Sequence, residues 1–272
     1  MIKTIGHGTQ GKIYRGESKI DETPVIIKII DDSAIKSFNY VGKIPVSVFL
    51  LKILNNPEED RSNDLFVKYL DHFHVEKTWI LVTEHEGDQW IDLLAFLGKR
   101  KIPLIEQEIM IIFAGIIQAL SDLQTLGFTH NDIKDSNILI NSETLFIKLI
   151  DLDSCRPISS EAIPASEFAG TIFYASPEVR TGNFFSPEHQ EIYSVGILLL
   201  SVIFLTRMPE EIEKHLTGVD KDTLDPHILP RLFKDFKIDI SSSITKVIQS
   251  MISRKPSKRP EIPDLLGFVH GD

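Results

Sequence analysis

Asp132, Lys134 and Asn137 stand together in the stretch His130-Asn131-Asp132-Ile133-Lys134-Asp135-Ser136-Asn137, between an apolar helical run and the apolar strand candidate Ile138-Leu139-Ile140. A carboxylate can accept the proton of a hydroxyl, an ammonium can hold a phosphoryl oxygen, and an amide oxygen can bind Mg²⁺. Sharing one short loop, these groups suit phosphoryl transfer, which needs positioning and charge neutralisation more than covalent chemistry. So short a stretch is informative only if the rest of the chain supplies the other parts in order.

Upstream, Gly6-x-Gly8-x-x-Gly11-x-Ile13 has the spacing of a phosphate-covering loop, in which glycines let backbone N–H groups approach phosphate oxygens. A simple turn has the same spacing, so context must separate them. A dinucleotide fold runs strand, glycines, helix; here one strand pattern follows another. Lys28 sits in the strand candidate Val25 to Ile30, where its ammonium costs stability unless it finds a partner. A solvent-facing lysine on an edge strand is the bland alternative, and the glycine loop upstream favours a role on the α/β-phosphates. Asp151 follows the strand Phe146-Ile147-Lys148-Leu149-Ile150. It could converge with Asp132 and Asn137, leaving Asn137 and Asp151 as oxygen ligands for Mg²⁺; a surface turn is the alternative. Downstream come Gly170-Thr171-x-x-Tyr174-x-Ser176-Pro177-Glu178 and Arg259. A buried Glu178–Arg259 pair would pin the end of a long irregular segment, and such pairs contribute positioning more reliably than stability.

The elements that must hold these groups form an α+β pattern. Strand candidates at 3–5, 13–16, 25–30, 65–73 and 78–84, with a helix over 46–54 opened by Pro45, predict a five-stranded antiparallel sheet plus one helix. Residues 84–90 read as a hinge. Helical patterns then dominate: 91–97, 104–126 ended by Gly127, 192–205, 229–236, 244–252 and 262–269, with a strand over 145–150. The irregular segment 154–177 is long enough to imply function. One bilobal domain is expected over 1–272, its small lobe about 1–84 and its mainly helical lobe about 91–272.

Hydrophobic and charged fractions of 42% and 25% are those of an ordinary globular chain. With 29 basic against 39 acidic residues, nucleic-acid binding is not expected. An acidic surface suits a basic peptide substrate, although acidic soluble proteins are common. Cys155 is the only cysteine, which excludes a disulfide framework and a cysteine-based zinc site. No signal-peptide pattern opens the sequence, and 192–205 is too short to span a bilayer comfortably. The expectation is an intracellular protein, cytoplasmic and/or nuclear, with no membrane association and no obligate oligomer: a monomer.

Taken in order, these motifs resemble the eukaryotic-type protein kinase domain from near residue 1 to near residue 268. The lysine of Asp132-x-Lys134-x-x-Asn137 resembles the serine/threonine branch. Pro45 to Lys52, Asp132 to Ile140 and Lys148 to Asp151 are similar to the PIM kinases and PAS-domain kinase. The resemblance implies ATP, Mg²⁺ and a protein substrate. It makes Asp132 the catalytic base, sets Lys134 on the γ-phosphoryl group and Lys28 on the α/β-phosphates, and puts Gly6, Gly8 and Gly11 in the loop above them. Thr83 becomes the gatekeeper, Glu84 and Glu86 offer hinge backbone groups to adenine, and Ile5, Ile13, Ile26 and Leu139 sandwich the base. Thr171 falls in the substrate-side loop. Four positions depart from the pattern. Ser47 stands where a helix glutamate should pair with Lys28. Asn131 replaces the arginine that often grips a phosphorylated loop. Asp151-Leu152-Asp153 replaces Asp-Phe-Gly, putting a further charge where glycine's freedom is usual. Glu191 replaces Asp at the start of the central helix. The reading is a protein Ser/Thr kinase with intact or reduced activity. The alternative is a pseudokinase acting as a nucleotide-binding or scaffolding module. A small-molecule kinase is disfavoured by Gly170-Thr171 and Ser176-Pro177-Glu178.

Overall fold

The structure is a computed structural model and describes residues 3–7, 11–36, 40–56, 63–159, 161–206 and 227–271. Its first lobe is the expected sheet. β1 (Lys3–His7), β2 (Gly11–Glu17), β3 (Pro24–Asp31), β4 (Tyr69–Val75) and β5 (Thr78–Glu84) lie in the order β1-β2-β3-β5-β4, every pair antiparallel. β3 is the central strand, and Lys28 lies opposite both Ile13 and Leu81. Gly11 is required by the sheet itself: a Cβ there would lie 1.9 Å from the Ile29 carbonyl oxygen, so β2 can begin against β3 only at a glycine.

α1 (Val46–Leu54) begins after Pro45, whose fixed φ suits the helix entry, and buries Val46, Ser47, Val48, Leu50, Leu51 and Leu54. It packs on the turn Leu152–Ser154 of the second lobe. The strand expected over 65–73 starts later. Asn63–Leu65 is a 3₁₀ turn, and Phe66, buried, makes a parallel bridge to Leu149. The apolar run Leu65 to Val67 joins the lobes instead of entering the sheet.

After the hinge, β6 (Trp90–Asp92) leads into α2 (Leu93–Lys99), capped by the Asp92 carboxylate accepting the Ala95 N–H. α3 (Glu106–Thr125) is long and apolar enough to cross a membrane by length and composition; here Ile109, Ile112, Phe113, Ile116 and Leu120 are core residues. Gly127, at φ +81°, ends it as expected. β7 (Ile138–Asn141) pairs with β6 and with β8 (Ile147–Leu149), presenting the predicted loop between α3 and β7 to the cleft. The segment 154–177 is tied down more than its sequence suggests. Arg156–Pro157 pairs with Phe128–Thr129, and Ile163–Pro164 with Phe184–Phe185, before α4 (Pro177–Arg180). α5 (Pro187–Ile203) starts a full turn earlier than its apolar run, with Gln190 and Glu191 buried. α6 (Ile228–Asp235), α7 (Ser242–Met251) and α8 (Ile262–His270) complete the core.

Candidate active site

A cleft of about 610 Å³ lies between the lobes. Ile5, Gly6, Ile13, Ile26, Lys28 and Thr83 line it from the sheet, Leu139 from the floor, and Glu84 to Gly87 from the hinge. Ile5 is half exposed at its mouth. Gly8 lies outside the described residues, and Gly11 does not line the cleft. The hinge is pinned from behind. The Glu84 N–H donates to the Lys68 carbonyl at 2.9 Å and so is not on offer to a ligand. The Glu86 carboxylate pairs with buried Lys148 at 2.9 Å, whose ammonium also sits 5.4 Å from the Trp90 ring centroid.

The predicted loop residues converge on the Asp132 carboxylate, which is buried. Lys134 Nζ reaches Oδ2 at 2.7 Å, while the Thr171 N–H and hydroxyl both donate to Oδ1 at 2.8 Å. Lys134 also donates to Thr171 Oγ1 at 3.0 Å. Asn137 Nδ2 donates to the Asp132 carbonyl at 2.8 Å and to Oδ2 at 3.1 Å. These bonds leave the amide oxygen of Asn137 as its end for a cation. Gly170 makes the approach of Thr171 feasible, because a Cβ there would lie 2.3 Å from the Asn131 carbonyl oxygen.

Across the cleft, Lys28 Nζ lies 2.5 Å from Asp151 Oδ1 and 2.5 Å from Asp153 Oδ2. Burial pulls the Lys28 pKa down, but the two carboxylates outweigh it and hold it well above the ordinary lysine range. Burial pushes Asp151 up, and the Lys28 charge more than reverses that. Asp151 takes φ +61°, ψ +61°, while Asp153, within the 3₁₀ turn, has no positive φ. The backbone freedom that glycine would bring to the triplet's third position is therefore not needed; the strained residue is the first. Among the described residues no group of three or more His, Cys, Asp or Glu side chains forms a metal cage. Asn137 and Asp151 offer two hard oxygen ligands, a set suited to Mg²⁺ completed by waters and phosphates.

His130 and Glu191 are both structural links in the site. The Asp132 N–H donates to His130 Nδ1 at 3.2 Å, so Nε2, 3.1 Å from the Ile150 carbonyl, carries the proton. The neutral ring thus joins the Asp132 loop to the residue before Asp151, and burial lowers its pKa. Glu191 Oε1 accepts the N–H groups of His130 at 2.5 Å and Asn131 at 3.3 Å. Burial pushes the Glu191 pKa up to about 8 against those bonds. Asn131, at φ +65°, turns its side chain inward to donate to Thr129 Oγ1. Glu178 and Arg259 form the expected pair, at 2.6 and 2.8 Å, with Arg259 also donating to the carbonyls of Ser253 and His189. Burial raises the Glu178 pKa, and Arg259 brings it below the usual carboxylate value.

A five-stranded lobe with a buried strand lysine, closing a cleft over a helical lobe that carries a buried Asp–Lys–Asn loop, is the architecture of a protein phosphotransferase. The chain belongs to the protein kinase domain family, whose model matches residues 1–268. It is 29% identical to the serine/threonine-protein kinase PSK1 of Saccharomyces cerevisiae, over 97% of this chain and 18% of that protein. Identity to PSK2 of the same yeast is 27%, over 97% of this chain and 23% of that protein. The PAS domain-containing serine/threonine-protein kinase of Mus musculus is 26% identical over 97% and 18%. The chain therefore spans about a fifth of the length of these curated relatives. They are serine/threonine kinases and include a PAS-domain kinase, as the motifs predicted.

Proposed function

We propose that this chain transfers the γ-phosphoryl group of ATP to a serine or threonine hydroxyl of a protein substrate. The observation that carries the reading is the closed set of hydrogen bonds around Asp132, in which Lys134, Asn137 and Thr171 all aim at one buried carboxylate. Asp132 accepts the proton of the substrate hydroxyl as its oxygen attacks the γ-phosphorus, the bond to the β-bridging oxygen breaks, and ADP leaves. Lys134, already bridging Asp132 and Thr171, holds the transferring group against the acceptor. Lys28 holds the α/β-phosphates, and Ile5, Ile13, Ile26 and Leu139 cover the adenine faces. With the Glu84 N–H occupied, the Glu84 carbonyl and the Glu86 backbone are the hinge groups left for the base edge. Asn137 and Asp151 would hold Mg²⁺, which would supply charge neutralisation on the phosphates. The relatives named as serine/threonine-protein kinases support the same acceptor class.

The pseudokinase alternative rests on Ser47 together with Asp153, and Asp153 is itself one of two carboxylates 2.5 Å from Lys28. The test is transfer of radiolabel from ATP to peptides, by the wild type and Asp132→Asn. The net charge of −10 makes basic peptides the first choice. Loss of the base is expected to slow transfer by about 10² to 10⁴-fold. Equal signal from the two proteins would sink the enzyme reading.

A further inference from the structure

The helix that should supply a carboxylate to Lys28 presents a buried serine, and the carboxylate comes from elsewhere. Ser47, on the face of α1 that packs against the turn Leu152–Ser154, lies beside Asp153. The Asp153 side chain is 2% exposed, and its Oδ2 is 2.5 Å from Lys28 Nζ. Two departures from the family pattern, Ser47 and Asp153, thus meet at the carboxylate that pairs with Lys28. A glutamate at position 47 would reach toward the space that the Asp153 carboxylate fills, so a small residue on the helix and a charged one on the turn are complementary. Asp151, the other carboxylate on Lys28, is the candidate metal ligand and must offer its oxygen to the cation when nucleotide is bound. Asp153 is then the carboxylate that stays.

We infer that Asp153 is the positioning residue for Lys28, replacing the helix glutamate with a carboxylate carried by the metal-binding turn. The inference rests on the kinase reading of the site. It has a mechanical consequence. In the usual arrangement the lysine is aligned only when the helix swings in; here the lysine's partner travels with Asp151. The phosphate lysine and the metal aspartate are set by one turn, and the orientation of α1 loses its role as the switch.

The experiment relocates the charge. Asp153→Gly restores the usual triplet and Ser47→Glu the usual helix residue, alone and together, with peptide phosphorylation measured across ATP and Mg²⁺ concentrations. Asp153→Gly is expected to lose on the order of a hundredfold in kcat, the scale of a misplaced group that does not itself react. The Mg²⁺ concentration for half-maximal rate should stay unchanged, and Ser47→Glu in the same chain should regain most of the loss. Ser47→Glu alone should give no gain. A second readout needs neither nucleotide nor metal: melting of the apo protein for Lys28→Met, Asp153→Asn and both. Direct partners give a double variant that loses less than the sum of the singles. The inference is overturned if Asp153→Gly keeps the wild-type rate, if its loss is not repaired by Ser47→Glu, if Mg²⁺ demand rises with it, or if the two melting losses simply add. If the wild type itself transfers nothing beyond Asp132→Asn, the kinase reading fails instead, and the melting cycle still decides the pair.

Discussion

Glu191 is buried at the start of α5 and carries the backbone of the Asp132 loop on one oxygen. Its folded pKa of about 8 exceeds the ordinary 4.5, so the folded protein holds a proton that the unfolded chain releases between those values. The sign follows: the contribution is full below about pH 4.5 and is lost as pH rises through about 8, with a slope of at most about 1.4 kcal/mol per pH unit. Glu191→Gln keeps the accepting oxygen and removes the titration. Its melting temperature should gain on the wild type from pH 5.5 to about pH 8 and level off above it. A difference constant across that range contradicts the assignment. Asp132, Lys134, Asn137 and Thr171 were legible in the sequence because most of their contacts are local to one loop and its facing anchor. The roles of His130 and Glu191 were not, since a backbone acceptor leaves no mark on the residues it serves. Nor was the Lys28–Asp153 pair: it joins residues far apart in the chain, and Asp153 alone reads as damage to a motif.

At the scale of elements, the misplaced boundaries have physical causes. An apolar run predicts burial, and in Leu65 to Val67 it is Phe66 that is buried, bridged to Leu149 of the other lobe, with its neighbours partly buried. The apolar pattern of α5 begins only at Ile192, because the residues before it are polar. Those residues are buried to make specific bonds: Gln190 accepts the Ser176 N–H at 2.7 Å and donates to the Tyr174 carbonyl at 3.2 Å, holding the substrate-side segment on the helix. The segment between Asp151 and α4 has a further tie. Arg156 Nη2 meets Glu167 Oε2 at 2.9 Å, an acidic residue of the segment itself. Asn131 points inward and offers no cation to a phosphate, while Arg156 is already met by the Glu167 carboxylate. Phosphatase treatment of the purified protein should leave its rate unchanged, while Glu167→Lys should lower it several-fold. Because the Glu167 side chain is 43% exposed, the pair is worth on the order of 1 kcal/mol or less, and the melting temperature should barely move. Activity abolished by phosphatase would show that a phosphate, not Glu167, orders the segment.

Across the whole molecule, the cleft takes residues from both lobes, so a ligand that fills it should resist their separation. Lys28 is shared between Asp151 and Asp153, burial pushing the Asp153 carboxyl up against the pull of Lys28, and the chain carries −10 overall. Free ATP would bring more negative charge to that cluster, with its one cation already shared between two carboxylates. A divalent cation held by Asp151 would reverse the balance, leaving Lys28 to Asp153 and the phosphates and supplying charge neutralisation there. ATP alone should therefore raise the melting temperature little. MgATP at about 100 times its Kd should add about 2.7 kcal/mol, or roughly 5–10 °C for a domain of this size. Asp151→Asn keeps the shape of the side chain but lacks the charge that holds the metal, and should erase the Mg²⁺-dependent part of the shift. It also leaves Lys28 to Asp153 alone, freeing some of its charge for phosphate, so the metal-free shift should rise at the same time. That crossing of the two responses is specific to a lysine shared between carboxylates. Equal shifts with and without Mg²⁺ in the wild type would mean that the carboxylates do not compete with phosphate for Lys28.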